Sequence, residues 1–562
     1  MNYNILIGGA AGQGVDTTSK LIQTILKRKG FYVFSNKDYM SRVRGGHNFT
    51  QIRFGKDKVF SHNNNLDIVI AFNEETIKIH NERLSENGLI ICDDDIKQNG
   101  NNILKFPFKS TAKDIGNKKV FSSVSIGSLI KLLGLTKNQI KNTIEDFFGD
   151  KKLSYENIDA FEKGYTLTEA RYGDTNEKIK NSNNHIIING NEAIALGALA
   201  GGVKFYSAYP MAPSTGIMNY LYNKSSDLEI LVEQAEDEIA AINMAIGASY
   251  AGVRAMTGSS GGGFSLMVEG LGLAAITETP LVVVDVQRPG PATGLPTRTS
   301  QGDLSFIINA SQDEFPLMVI SLRNHEDAFY QTIRALNIAD KYQTLVILLS
   351  DQYLADSSST INEYDFNSIS IDRNIYKSNN LNTTHGYKRY EYTKTGVSPR
   401  LIPGMSDKVS ILADSHEHNE YGNIDESIET RNKMMKKRMN KFEHLKNELN
   451  EPTYYGSEYP DILLIGWGSS EGALKEATSF LNNNGNSTGC LVFGDVWPLP
   501  TEKLKKYSKI ANMIINVEHN YSGQLARLIT QETTITFDKK ILKYDGRQFS
   551  GYELFKSIKE VL

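Results

Sequence analysis

The sequence predicts an α/β protein made of three consecutive open, largely parallel sheet domains. Apolar strand-like runs alternate with helix-spaced segments three times over, and glycine- or proline-rich turns join each strand to the next helix. The chain has 562 residues, too many for a single core at roughly 150 residues per domain.

Bulk properties narrow the function classes. A net charge of -4 with 40% hydrophobic residues offers no global basic field, so no nucleic-acid partner is expected. Only Cys92 and Cys490 occur, each in or beside an apolar run, and a cluster needs about four thiolates. The start "MNYNILIGGAAGQG" enters a strand at once, without the pattern of a signal peptide, and no apolar run reaches the length of about 18 residues that suits a membrane helix. A soluble, cytoplasmic protein without a membrane partner is expected.

The first domain, residues 1–170, carries strands in "NILIGG", "YVFS", "LDIVIAFN" and "GLIICDDD" and a helix in "TTSKLIQTILKRKG". Its turn "GGAAGQG" places Gly12 and Gly14 between strand and helix, where backbone N–H groups suit an anion. Ala10 and Ala11 break the dinucleotide spacing and no lysine follows Gly14, so a phosphate contact and a plain tight turn both stay open. "SRVRGGHNFTQIRF" sets Arg42, Arg44 and Arg53 around Gly45 and Gly46. Such guanidiniums fit a phosphate or carboxylate ligand, or solvent; His47 is expected to be a structural hydrogen-bonding residue. The polar run at 171–184 reads as a linker.

The second domain, 185–355, ends its strands in unusual segments: the proline turn "YPMAPST", the acidic "EQAEDEIAA", the glycine turn "GSSGGG" and the loop "RPGPATGLPTRTSQGDL". Ligands of open parallel sheets gather at such strand ends, so a carboxylate, a flexible turn and an arginine are expected to share one crevice. Acidic residues at a helix start also cap N–H groups and suit its dipole, so pattern alone does not choose among Glu233, Glu236, Asp237 and Glu238. Three consecutive glycines, Gly261, Gly262 and Gly263, favour a ligand approaching the main chain over a merely tight turn.

Residues 356–450 read as an extended connection with one exposed helix in "ETRNKMMKKRMNKFEHLKNELN", and "SHEHNEYG", with His416 and His418, as a surface turn. The third domain, 451–562, returns to alternation in "DILLIGWGSSEGALKEATSFL" and "SKIANMIINVEHN".

Taken together, "GGAAGQG" with "SRVRGGHN", "AYPMAPST", "QAEDEIAA", "TGSSGGGFSLMVEGL", "RPGPATGLPTRTSQGDL", "EHNEYG" and "VEHNYSGQLARL" closely resemble the 2-oxoacid:ferredoxin oxidoreductases. The likeness is to an alpha subunit with a gamma-type domain fused at its N-terminus, and it covers nearly the whole chain. The resemblance implies a gamma-type domain, a thiamine diphosphate pyrimidine-binding domain and a transketolase C-terminal-like domain, in that order. "EHNEYG" and "VEHNYSGQLARL" resemble the C-terminal part.

By this resemblance Glu236 takes the role of the glutamate bonded to the aminopyrimidine, which implies a desolvated carboxyl with a raised pKa, while Asp237 and Glu238 cap the helix or face solvent. Arg298 matches the arginine that holds the substrate carboxylate. Ala212 stands where the family commonly has threonine, with Ser214 or Thr215 as compensating hydroxyls. Tyr209, Pro210 and the three glycines fall to the cofactor; Gly12, Gly14, Arg42, Arg44, Gly45 and Gly46 fall to coenzyme A or phosphate. No Gly-Asp-Gly metal motif occurs, so the resemblance puts Mg2+ and a 4Fe-4S cluster on a beta subunit.

The implied partners are that subunit and ferredoxin, in an alpha-beta heterodimer or a dimer of such heterodimers. The implied reaction is oxidative decarboxylation with coenzyme A of a 2-oxoacid, 2-oxoglutarate ahead of branched-chain acids and pyruvate. The competing reading is a non-catalytic nucleotide-binding or scaffold protein with a degenerate thiamine-enzyme fold, supported by Ala212 and the missing metal motif.

Overall fold

A computed structural model describes residues 2–41, 46–169, 172, 185–376 and 386–562. It forms two compact units, Met1–Ile188 with Ser357–Glu363 and Asn189–Asp356 with Tyr364–Leu562.

The first unit is built on an eight-stranded sheet in the order Ile103–Phe106, Leu84–Asp93, Leu66–Ala71, Asn2–Ala10, His47–Gly55, Tyr32–Asp38, Ser358–Asn362, His185–Asn189. The helix Val15–Arg28 buries Leu21, Ile22, Ile25 and Leu26 in the unit's core. The helices Phe121–Leu132 and Lys151–Thr166 cross so closely that a Cβ on Gly127 or Gly164 would collide with the opposite backbone.

Two sequence expectations change here. "HNFTQIRFG" is a strand, antiparallel to both Asn2–Ala10 and Tyr32–Asp38, and Arg53 on it donates to the Ser61 carbonyl at 2.9 Å. Its polar residues hid it: Gln51 is buried and bonds Asn4, so the strand lacks the plain apolar alternation that reveals one. Residues 185–188, assigned by sequence to the second domain, and 358–362, assigned to the connection, pair into this first sheet. Of the expected linker, Tyr172 alone is among the described residues.

The second unit holds two sheets. A seven-stranded one runs Asp495–Trp497, Leu317–Ser321, Leu345–Asp351, Leu281–Gln287, Arg254–Ser259, Val203–Ala208, Leu231–Gln234, all parallel except Asp495–Trp497. Its central strands are buried throughout and mostly apolar, as expected of a sheet covered on both faces. A five-stranded sheet has the order Thr453–Gly456, Thr488–Phe493, Ile462–Trp467, Met513–Glu518, Lys539–Leu542, with only Thr453–Gly456 antiparallel. One apolar cluster joins the two, uniting Val283 and Leu349 with Trp467, Phe493 and Leu525.

The helix Ile428–Leu445, expected to be exposed, is fastened to this body. Lys437 and Lys441 reach Glu278, and all three side chains are 1% exposed. The Arg389 guanidinium donates to the Glu278 carbonyl at 2.8 Å and to Gln343 Oε1 at 2.7 Å. Burial drives the Lys441 ammonium down to about 7, opposed by Glu278; the lysines beside Glu278 hold its carboxyl well below the usual range despite burial. The lysines' spacing looked like a solvated face, but both side chains turn inward to a buried acid.

Candidate active site

The strand Leu231–Gln234 and the helix Glu238–Tyr250 meet at Asp237, the N-cap, whose carboxylate accepts the Ala240 N–H at 2.7 Å. Asp237 therefore caps as expected. Glu236, just before the cap, is exposed, and so is Glu233. The buried carboxylate is Glu238: 2% exposed, it accepts the Ser259 hydroxyl at 3.1 Å through Oε1. The expected desolvation of Glu236 is thus overturned in favour of Glu238. The reason is helical register: Glu238 shares a face with Ala241, Ile242 and Ala245, which are wholly buried, whereas Glu236 precedes the helix. That spacing was present in the sequence and would have singled out Glu238.

Ser259 ends the strand Arg254–Ser259, and the glycine turn opens the helix Gly261–Ile276. Two of its glycines make room for the chain's own acids rather than for a ligand. A Cβ on Gly263 would collide with the Glu238 carboxylate and Ser259, and one on Gly261 with the Asp303 carboxyl. Gly262 is the open one, its nearest neighbour being the Ala292 carbonyl at 3.7 Å.

The proline turn lies beside this point. Ser260 Oγ contacts Met211 Sδ at 2.8 Å, and Arg288 donates to the Ala212 carbonyl at 2.7 Å. Ser214 is buried and its hydroxyl donates to the Met211 carbonyl at 2.8 Å, so its proton is already committed; Thr215 is half-buried. Tyr209 is exposed and Pro210 half-buried.

Arg298 is half-buried and bonds the Thr297 carbonyl at 2.9 Å. Its loop is held by the third sheet. Gln301 donates to the carbonyls of His519 and Trp467, both at 2.8 Å, and Asn520 donates to the Gln301 carbonyl at 2.9 Å. Glu518, fully buried, accepts from Asn520 at 2.7 Å and from the Trp467 indole at 3.1 Å, besides the N–H groups of Leu525 and Ala526. The motif "VEHNYSGQ" therefore sets the arginine loop, a role that sequence reasoning did not assign.

In the first unit, Gly12 and Gly14 adopt φ of 89° and 79° with open space where a Cβ would stand, and Gly14 caps the helix Val15–Arg28. Gly46 has φ 79° and packs on Met40; Arg42, Arg44 and Gly45 lie outside the described residues. His47 is buried, with Nε2 at 2.8 Å from His80 Nε2, in keeping with a structural hydrogen-bonding residue. Burial, then Arg83, holds the His80 ring neutral, down to about 3. In the second unit His416 is exposed, but His418 is buried against Tyr390.

Over its full length the chain is 33% identical to a 2-oxoacid:ferredoxin oxidoreductase subunit alpha from a Sulfolobus species, covering 97% of that protein. The chain belongs to this family. It is an alpha subunit of such an enzyme, and the scaffold reading falls. Three family models divide it: pyruvate ferredoxin/flavodoxin oxidoreductase at 4–167, its thiamine-diphosphate-binding domain at 196–437, and pyruvate:ferredoxin oxidoreductase core domain II at 460–551. "EHNEYG" thus falls within the thiamine-binding match rather than the C-terminal part. A 2-oxoglutarate oxidoreductase subunit from Mycobacterium tuberculosis is 26% identical, covering all of this chain and 92% of its own. Among solved structures, the 2-oxoglutarate:ferredoxin oxidoreductase from Magnetococcus marinus, with 2-oxoglutarate, coenzyme A and succinyl-CoA bound, superposes with a TM-score of 0.91 at 31% identity, covering 100% of this chain and 99% of that one.

Proposed function

We propose that this alpha subunit provides the acid–base carboxylate and the substrate clamp for oxidative decarboxylation of a 2-oxoacid, with 2-oxoglutarate favoured. The overall change takes a 2-oxoacid, coenzyme A and two oxidised ferredoxins to an acyl-coenzyme A, CO2, a proton and two reduced ferredoxins. The observation that carries the reading is Glu238, a buried carboxylate at the carboxyl edge of a parallel sheet, behind a glycine turn open at Gly262. A buried carboxylate suits the ring nitrogen of an aminopyrimidine, with which it exchanges a proton. Thiamine diphosphate, when bound, supplies the carbon nucleophile for the 2-oxo group.

Glu238 holds or moves the proton at Oε2, its Oε1 being committed to Ser259. Arg298 binds the substrate carboxylate, and the main chain at Gly262 and the Tyr209–Pro210 turn line the cofactor. The preference for 2-oxoglutarate rests on the Mycobacterium and Magnetococcus relatives. With no Gly-Asp-Gly and two buried cysteines, Mg2+, the diphosphate and the 4Fe-4S cluster fall to a beta subunit. Exposed apolar side chains beside the site, Leu231, Ile239, Met244, Leu266 and Leu295, suit that partner's surface. Gly12, Gly14 and Gly46 fall to the phosphates of coenzyme A, and the complex to the cytoplasm. Among the described residues no helix is long and apolar enough to cross a membrane.

The test is turnover of the chain co-purified with its partner, over a panel of 2-oxoacids with a viologen dye as acceptor. Glu238→Gln should lower kcat by about 10²-fold or more, the scale of general acid–base catalysis, and Glu236→Gln should stay near wild type. The reverse result would return the role to Glu236.

A further inference from the structure

Beneath the glycine turn lies a second acidic site that the proposed chemistry does not use. Asp285, on the strand Leu281–Gln287, is completely buried, and the side chain of Asp303, just ahead of the short helix Leu304–Ile308, lies beside it. Among the described residues, neither Asp285 oxygen has an N–H or O–H donor, and Asp303 Oδ2 has none either. Asp303 is tied by its backbone N–H to Gln287 Oε1 at 3.1 Å, and its carboxyl lies against Gly261.

Two neighbouring carboxylates around a buried site do not both stay ionised, and among the described residues no cation is placed to neutralise Asp285. Its sheet neighbours are Ser259 on one side and Leu349 on the other. The charged groups around the pair are Arg288, which faces both Asp303 and Glu238, and Glu238 itself across Ser259.

We propose that Asp285 and Asp303 share one proton, and that this protonated pair is the positioning element of the site, setting the Ser259–Gly263 turn on which Glu238 bonds. The positioning role rests on the proposed acid–base function of Glu238. Deprotonation would leave two anions in contact under Gly261 and drive the Asp303 segment from the turn. The direction of titration agrees: burial first, then Asp303, raises Asp285 well above the ordinary carboxyl range, and burial raises Asp303. The folded chain thus keeps a proton that the unfolded chain releases near pH 4. Its stabilisation is fully present below that pH and is lost as pH rises through the raised folded value. Asparagine at either position keeps a donor at every pH and removes the part of this dependence that comes from the neighbouring acid, leaving the part due to burial.

The experiment tracks the apparent thermal midpoint of the chain with its partner, without added thiamine diphosphate, from pH 5 to 8, for wild type, Asp303→Asn and Asp285→Asn. The wild-type midpoint should fall with pH relative to an Asn variant by about 2–4 °C per pH unit over part of this range, one proton being about 1.4 kcal/mol per unit. An infrared band of a buried protonated carboxyl should also be present in wild type and lost in the variants. Equal slopes in wild type and every variant that folds, or failure of both to fold at any pH, would overturn the shared proton.

With thiamine diphosphate added, kcat of wild type should decline on the alkaline side more steeply than that of an Asn variant, KM being unchanged in both. Midpoint slopes that differ while the kcat profiles coincide would overturn the positioning role. A Glu238→Gln enzyme of normal turnover, with the midpoint slopes still different, would fail the thiamine reading and uphold the shared proton.

Discussion

Glu278 and Asp285 are equally buried carboxyls of one unit, yet Glu278 is met by Lys437 and Lys441 whereas Asp285 meets another acid. At Glu278 the opposed charges let the carboxylate stay ionised, and the cluster pins the helix Ile428–Leu445 to the sheet domain. At Asp285 no cation among the described residues compensates, so a proton must. The difference teaches that burial alone does not mark a functional acid. What separates the two is the supply of counter-charge: an acid that the chain neutralises from within is a fastener, and one left short of cations holds a proton and responds to pH.

The sharpest way to break this comparison is Glu278→Ala. Leaving two buried ammoniums without their acid should cost about 3–5 kcal/mol, read as a lower denaturant midpoint. Replacing Glu278, Lys437 and Lys441 together by apolar residues of similar size should restore most of that loss. A mild single effect would show that the cluster is not the fastener described.

Next in size is Arg298→Lys, which exchanges a planar fork for a point charge. It should raise KM for the 2-oxoacid by up to about 100-fold, about 3 kcal/mol, with little change for coenzyme A. Equal effects on both substrates would mean that Arg298 belongs with the internally neutralised charges.

Smallest is the pH response of Lys441. Its folded ammonium titrates near 7 because of burial, below the unfolded value of about 10.4, so above pH 7 the unfolded chain holds the extra proton. Stability should therefore rise with pH by about 1 kcal/mol per unit between 7 and 10, and Lys441→Met should flatten that rise. Chemical unfolding of both chains at several pH values measures it.

How far the molecule was legible depends on where each contact is encoded. Strands such as "LVVVDV" and "TLVILL" declare themselves, because a parallel strand covered on both faces is a nearly continuous apolar run, broken in the first only by Asp285. "HNFTQIRFG" does not, because its buried Gln51 is satisfied by Asn4 from a strand far away in the chain. The segments forming the candidate site were legible as strand-end turns, and the carboxylate that is buried there, Glu238, stands two positions beyond the Glu236 that the resemblance implied. The helical face of Ala241, Ile242 and Ala245 carried the correction within the same segment. By contrast, nothing local to Lys437 or Lys441 announces Glu278, and nothing near Asp285 announces Asp303, since tertiary folding alone brings those partners together.

The hold of Gln301 on His519, Trp467 and Asn520 bears on how such chains are inherited and recombined. The loop that carries Arg298 belongs by sequence to one domain but takes its anchorage from another. A C-terminal segment exchanged between relatives would replace the groups that hold this loop, so a chimaera keeps these hydrogen bonds only where its junction leaves Gln301, Trp467 and His519–Asn520 with matched partners.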